Sequence, residues 1–161
     1  MKDYMYDKVL VDGIENFEEK IEAYASWIIN GGIRFQKGWA LGIACPITCP
    51  DLARALTREA YRQGARDVTV YWADPYTDRE NYAHSEEQYL ENRQPWPDRC
   101  REKYGNTDLA FVIVFCNGPD FMDDLDISRQ LYVNAWQSSN FQNFKRGLEI
   151  PYTICAASNR E

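Results

Sequence analysis

Two short apolar segments that bracket one amphipathic helix constrain the fold most strongly. Residues 39–45 (WALGIAC) and 67–72 (DVTVYW) have the composition of β-strands. Between them, Pro50 stands at the first position of a predicted helix that ends at Gly64. The inward stripe of that helix is predicted to consist of Leu52, Leu56 and Ala60. Because both connections are short, the unit is typical of a right-handed βαβ crossover with parallel strands.

Two further strands complete the predicted sheet. Residues 109–115 (LAFVIVF) are apolar at every position, as expected of a strand that helices cover on both faces. Residues 152–157 form a last strand. The alternation of strands and helices predicts a doubly wound α/β fold, with a mostly parallel sheet of about four strands in the order 2-1-3-4, flanked by helices. At this length, residues 1–161 are interpreted as one domain.

Helices are also predicted outside the βαβ unit. Residues 16–29 carry apolar side chains at helical spacing, and Gly31 and Gly32 stop this helix. Residues 127–144 form a long helix that Asp126 caps. Its inward side chains are predicted to be Ile127, Leu131 and Ala135. The polar segment 74–105 holds two short helices, one after Ser85 and one from Pro97 to Tyr104, and is expected to pack at the edge or mouth of the sheet.

Charge and composition exclude several classes of function. The net charge is −7 and no basic block exists, so a nucleic acid or an acidic membrane surface is not an expected partner. The longest apolar run, 109–116, is too short to span a bilayer, and the first residues lack the apolar core of a signal peptide. Five cysteines at irregular spacing do not indicate a disulfide framework. These features predict a cytoplasmic protein.

A ligand site in this fold is expected beyond the carboxyl ends of the first and third strands, where the strand order reverses. The side chains predicted to line that cleft come from three loops. They are Cys45, Cys49, Tyr76, Cys116 and Asn117. The first loop, CPITC, has no glycine, so it offers no cradle for a phosphate, and a nucleotide cofactor is not expected.

The residues at this rim do not assemble a catalytic set. His84 is the sole histidine, and it is interpreted as a surface residue. Cys45, Cys49 and Cys116 could together hold zinc, but small buried side chains explain them better. Aspartates at loop tips and helix caps are common for structural reasons, which accounts for Asp74, Asp120, Asp123 and Asp124. No catalytic, metal-binding or cofactor-binding residue is therefore predicted in this chain.

Several stretches resemble a known family. FEEKIEAYASWIINGGIRFQKGWALGIACPI, LARALTREAYRQGARDVTVYWAD, the SEEQYLENRQPWP region and DLDISRQ are similar, in the same order, to the N-terminal domain of the M29 metallo-aminopeptidases, the aminopeptidase T group. Gln36, Lys37 and Gly38 resemble the family's entry to its first strand. The ending IPYTICAASNRE looks like the strand that precedes a Trp-Ala pair in the family.

The resemblance implies a longer parent enzyme. Family members remove N-terminal residues from peptides with two divalent metal ions, whose Glu, His, Tyr and Asp ligands lie in a second domain downstream. None of those ligands has a matching position here, so the chain alone is expected to be inactive. The resemblance also implies homodimers around an internal cavity, to which this domain contributes scaffold and dimer contacts.

Two alternatives remain open from the residues. A stand-alone α/β module could bind a small molecule in the cleft at the carboxyl ends of the strands. A thiol or zinc enzyme could use the cysteine cluster, and in the zinc version the purified protein would contain stoichiometric zinc.

Overall fold

A four-stranded parallel sheet organises the molecule. The computed structural model describes residues 16–91, 96–105, 107–115, 126–128, 131 and 150–157. The strands are β1 (Ala40–Pro46), β2 (Asp67–Ala73), β3 (Leu109–Phe115) and β4 (Tyr152–Ala156). Their order is β2-β1-β3-β4, and every neighbouring pair is parallel. The predicted fold class, strand order and direction are confirmed, with strand ends that differ from the prediction by at most one residue.

Two helices and a π-helical turn cover the first face of the sheet. They are α1 (Phe17–Trp27), the π turn (Ile28–Gly32) and α2 (Pro50–Arg62). Their inward side chains pack on alternate residues of the central strands, as a parallel sheet covered by helices requires. The buried strand residues of this main core are Leu41, Ile43, Cys45, Ala110, Val112, Val114 and Cys155. The predicted stripe of α2, namely Leu52, Leu56 and Ala60, is buried there and is confirmed.

The second face carries helix α5 (Trp96–Tyr104). Cys100 on this helix is fully buried in a smaller core with Ala40, Leu109 and Phe111. The expectation that the segment 74–105 packs at the edge or mouth of the sheet is therefore wrong for α5. A glycine in β1 provides the room, because a Cβ at Gly42 would lie 2.8 Å from Cys100 Sγ and 2.8 Å from Phe111 Cδ1.

The segment between β2 and α5 contains more helix than its polarity indicates. Helix α3 (Pro75–His84), which was not predicted, begins directly after β2. Asp74 caps it, because its carboxylate accepts hydrogen bonds from the Tyr76 N–H at 3.1 Å and the Thr77 hydroxyl at 2.7 Å. The predicted short helix after Ser85 is confirmed as α4 (Glu87–Glu91). Across the described ranges, no helix is long and apolar enough to cross a membrane.

The start of the predicted long helix is visible at three residues. Ile127 and Ser128 are helical, and the Asp126 carboxylate accepts a hydrogen bond from the Ser128 N–H at 2.9 Å, so the predicted cap is confirmed. The inward direction predicted for two side chains is wrong, because Ile127 is 73% exposed and Leu131 is 66% exposed. Ala135 and the rest of the predicted helix lie outside the described residues.

Candidate functional site

The loops after β1 and β2 form one side of the rim where a ligand is expected in this fold. The N–H of Ile47 donates to the Ala73 carbonyl at 2.8 Å and so ties the two loops together. The N–H of Cys49 donates to the Pro46 carbonyl at 3.0 Å and closes a turn just before α2. Backbone hydrogen bonds therefore hold these two loops in place.

Cys45, the first predicted cleft residue, is fully buried at the end of β1. Its Sγ donates to the Cys49 carbonyl at 3.3 Å. Burial raises the pKa of the Cys45 thiol to about 12, and the nearby Cys155 adds to the shift. The thiol is therefore protonated at neutral pH, and the thiolate rather than the thiol is the reactive nucleophile.

The other predicted cleft residues have different environments. Cys49 is buried and disulfide-bonded. Tyr76 lies in the first turn of α3 and is 42% exposed. Cys116 and Asn117 lie outside the described residues. The structure brings Cys45 and Cys49 together, and the complete cleft of five residues stays a prediction.

A polar cluster at the start of β2 was not predicted as a site. Asp67 Oδ2 accepts hydrogen bonds from the Tyr104 hydroxyl at 2.7 Å and from Lys103 Nζ at 2.9 Å. Lys103 Nζ also donates to Thr69 Oγ1 at 2.9 Å, and the hydroxyls of Thr69 and Tyr104 are hydrogen-bonded to each other. The bonds from Tyr104 and Lys103 hold the pKa of Asp67 below its usual value. The cluster joins α5 to β2, so its chemistry is that of a structural anchor.

A second unpredicted cluster surrounds Glu59 on α2, which is 2% exposed. Its Oε1 accepts hydrogen bonds from Asn30 Nδ2 and Gln63 Nε2, each at 3.0 Å, and from Ser26 Oγ at 3.4 Å. Arg62 pairs with Oε2. Burial raises the pKa of Glu59, but the hydrogen bonds from Gln63, Asn30 and Arg62 together bring it below its usual value. Glu59 is therefore a charged, fully partnered group.

One feature of the sequence could have identified Glu59 as a buried charged residue. The residue lies three positions after Leu56 and four after Ala55, and both of these are buried in the core. A charged residue on such a stripe requires dedicated partners, because an isolated buried charge is strongly unfavourable. Two of those partners, Ser26 and Asn30, lie on α1 and on the π turn, and the π turn was not predicted. The other two, Arg62 and Gln63, lie at the end of α2 itself.

A hydrolytic metal site needs several His, Asp or Glu side chains that converge on one point. Within residues 16–91 and the shorter described ranges, no three His, Cys, Asp or Glu side chains converge as metal ligands. Asp67 and Glu59 have their oxygens occupied by the chain itself. His84 is exposed on α3 and pairs with Glu80 at 3.5 Å, which fits its interpretation as a surface residue. The described residues therefore do not fit the ligand set of a catalytic metal pair.

Comparison with known proteins places this fold in a family context. A family model described as thermophilic metalloprotease (M29) matches residues 17–161. The chain is 27% identical over 152 residues to aminopeptidase AmpS of Bacillus subtilis (strain 168), covering 91% of this chain and 36% of that protein. It is 35% identical over 78 residues to aminopeptidase PepS of Streptococcus thermophilus, covering 48% of this chain and 19% of that protein. The chain thus spans about a third or less of these relatives.

The solved structure of wild-type AmpT from Thermus thermophilus has a similar fold. The two superpose with a TM-score of 0.75 at 21% sequence identity. The similarity covers 89% of this chain and 37% of that chain. At this identity, the superposition demonstrates a shared fold for the matched part.

Proposed function

Since this chain belongs to the thermophilic metalloprotease (M29) family, we propose that it is the N-terminal scaffold portion of a metal-dependent aminopeptidase that removes N-terminal residues from peptides. The observation that carries this proposal is the coverage. The alignment with AmpS covers nearly the whole of this chain but only 36% of the length of AmpS. In this proposal, residues 1–161 are a single α/β domain, and a catalytic domain absent from these residues completes the enzyme.

The proposal assigns the chemistry to the remainder of the parent enzyme. The carboxylates that could serve as ligands here, Glu59, Asp67 and Asp74, are bonded to donors of the same chain. Releasing them toward a metal ion would leave donors such as Asn30 without their partner, which is unfavourable in a buried site. Two divalent metal ions would therefore be held elsewhere in the parent enzyme, and the chain alone would be inactive.

In the parent enzyme this domain would shape a cavity for peptides and contribute to a homodimer contact in the cytoplasm. Its many tyrosines and tryptophans support that role, since such residues are enriched at interfaces. Several of them are exposed in the described residues, including Trp27, Trp72 and Tyr89.

The test is a peptidase assay of the pure 161-residue protein. An aminoacyl chromogenic substrate would be incubated with the protein and with Co²⁺, Zn²⁺ or Mn²⁺ added separately. AmpS of Bacillus subtilis, prepared in the same way, is the positive control for substrate and metal. We expect no turnover above the metal-only blank by this chain. Clear, protein-dependent turnover would refute the proposal that these residues are a non-catalytic part.

A further inference from the structure

The π turn contains one of the two Asn-Gly pairs of this sequence, Asn30–Gly31. An asparagine that precedes a glycine is prone to deamidation, because the glycine has no Cβ to keep its backbone nitrogen away from the asparagine side chain. Asparagine is accordingly among the thermolabile residues that hyperthermophilic proteins contain less often. Asn30 and Gly31 are both exposed, so water reaches them in the folded chain. The pair is therefore reactive by its chemistry and accessible by its position.

The fold restrains this pair through the side chain and the backbone of Asn30. The side-chain nitrogen Nδ2 lies 2.9 Å from the Ser26 carbonyl, 3.1 Å from Ser26 Oγ and 3.0 Å from Glu59 Oε1. The backbone of residues 28–32 is helical. Deamidation requires the Gly31 nitrogen to reach the side-chain carbon of Asn30, and a helical backbone at Asn30 keeps these two atoms apart. The hydrogen bonds and the turn therefore both oppose the reaction while the chain is folded.

We propose that Asn30–Gly31 is a deamidation site that the fold holds unreactive and that reacts when α1 and the π turn separate from α2. In the reaction, the Gly31 nitrogen attacks the side-chain carbonyl carbon of Asn30, so that a new C–N bond forms and the bond from that carbon to Nδ2 breaks. Ammonia leaves with the proton of the Gly31 N–H, and a succinimide ring remains. Water then opens the ring and leaves either aspartate or isoaspartate at position 30.

Either product opposes the packing of α1 on α2. Aspartate brings a carboxylate without a proton to donate to the place that Nδ2 occupies, 3.0 Å from Glu59 Oε1. Glu59 is buried and charged, and Arg62 pairs with only this one carboxylate, so two like charges meet in a poorly solvated place. Isoaspartate adds one atom to the main chain inside the turn that the Ile33 N–H closes with the Ile28 carbonyl at 3.1 Å. The modified chain therefore loses the contact between the two helices.

The modification acts in one direction. Refolding cannot restore the lost amide, so a chain that has opened and reacted keeps the weakened contact. The π turn also lies against β4, because a Cβ on Gly32 would be 3.3 Å from Thr153 Oγ1, so the effect extends to the last strand. This inference rests on the contacts of the π turn alone and stands apart from the proposed peptidase function, so a failure of one leaves the other intact.

Peptide mapping by mass spectrometry of the full chain, incubated at mildly alkaline pH with and without urea, tests the proposal. We expect deamidation at Asn30 to be at least about tenfold slower without urea, because the reaction then requires local opening. The second pair, Asn117–Gly118, is the internal standard in urea, where both pairs should react at similar rates. Gly31→Ala is the matched control and should slow the reaction in urea at least about tenfold. Equal rates at Asn30 with and without urea, or an Asn30 that stays intact in urea, would overturn the proposal.

Two variants test the effect of the product on the fold. Asn30→Asp reproduces one product and should unfold at a lower urea concentration than Asn30→Ala, which removes the donor without adding a charge. Asn30→Asp combined with Glu59→Gln places an amide opposite the new carboxylate and should lose less stability than the sum of the two single changes. If Asn30→Asp alone does not fold, the double variant is expected to restore folding. An Asn30→Asp variant as stable as Asn30→Ala, or a double variant without any recovery, would overturn the proposed effect on α1 and α2.

Discussion

The side-chain amide of Asn30 donates to Glu59 Oε1 at 3.0 Å and joins the π turn to α2. The same amide nitrogen donates to the Ser26 carbonyl one turn earlier, at 2.9 Å. Asn30 therefore connects the backbone at the end of α1 with the buried carboxylate on the neighbouring helix. The wider π turn is the element that carries this residue, which gives the irregular turn a physical role in packing α1 on α2.

We predict that Glu59→Gln lowers the free energy of unfolding by about 2 to 3 kcal/mol, because it removes the charge that Arg62 neutralises and turns an amide donor toward existing donors. Asn30→Ala should lower it by about 1 kcal/mol, since one hydrogen bond to the carboxylate is lost. Urea unfolding at neutral pH measures both values. Glu22→Gln, in the exposed pair with Arg58, is the control and should change stability by less than about 0.5 kcal/mol.

The pH dependence of this variant follows from the lowered pKa of Glu59. A carboxyl whose pKa is lower in the folded state contributes stability above its unfolded pKa of 4.5, and this contribution is lost as the pH falls through the folded value. The stability gap between the unmodified chain and Glu59→Gln should therefore narrow in acid. A gap that stays constant down to the pH of acid unfolding would contradict the assigned role of the charge.

The strands of the sheet can be predicted from the sequence because each strand has a local pattern of apolar residues. The run 109–115 is apolar at every position, and the short connections around α2 leave parallel pairing as the natural arrangement. The π turn could not be read in this way, since IINGG has no periodicity of its own and its geometry depends on packing. The burial of Glu59 likewise depends on Asn30, which lies 29 residues away along the chain.

Gly42→Ala is predicted to be strongly destabilising, by about 2 kcal/mol or more. Its Cβ would lie 2.8 Å from both Cys100 Sγ and Phe111 Cδ1 in a closed part of the core. Thermal and urea unfolding measure the change. The control is Gly31→Ala, whose Cβ would meet its nearest atom, in the Trp27 ring, at an ordinary 3.6 Å, so that stability should be unchanged or slightly higher.

A double variant isolates the cause of the Gly42 effect. Cys100→Ala removes the sulfur from the clash, so Gly42→Ala combined with Cys100→Ala should be less destabilised than the sum of the two single changes. Simple additivity would show that the close approach of α5 to β1 is not what limits position 42.

The alkaline limit of stability should depend on Cys45. The pKa of this thiol is 9.0 in an unstructured chain and about 12 in the fold. Above pH 9 the unfolded state loses the proton while the folded state keeps it, so the free energy of unfolding falls as the pH rises, by about 1.4 kcal/mol per pH unit. Urea unfolding of Cys45→Ala between pH 8 and pH 10 should show a shallower decline than the unmodified chain. Equal declines would indicate that the Cys45 thiol titrates normally.

The side chains that line the candidate cleft are harder to predict from the sequence than the strands of the sheet. Topology places Cys45 and Tyr76 at the carboxyl-end edge of the sheet, where a ligand is expected in this fold, because strand ends in a parallel sheet define that edge. Whether a residue at this edge lines the cleft depends on the direction of its side chain. The side chain of Cys45 points into the core. A strand residue alternates between faces, so a residue at the end of a strand can face the core as readily as the ligand edge.

Tyr104→Phe should weaken the attachment of α5 to the sheet. The change removes the hydroxyl that donates to Asp67 Oδ2 at 2.7 Å, and we expect a loss of about 1 kcal/mol in the free energy of unfolding at neutral pH. The pKa of Asp67 is lowered first by the bond from Tyr104 and then by the bond from Lys103, so this variant should raise it toward its usual value of 3.8. An NMR titration of the Asp67 side-chain carbon measures the pKa directly.

The lowered pKa of Asp67 determines how the stability of the Tyr104→Phe variant depends on pH. The contribution of Asp67 is present above pH 3.8 and is lost as the pH falls through the lower folded value, so Tyr104→Phe should show a smaller loss of stability in acid than the unmodified chain. Tyr61→Phe is the matched control, because the Tyr61 hydroxyl lies 3.4 Å from the other oxygen of Asp67 and makes a weaker bond. If both tyrosine variants shifted the pKa of Asp67 equally, the short bond from Tyr104 would not be the dominant interaction of this cluster.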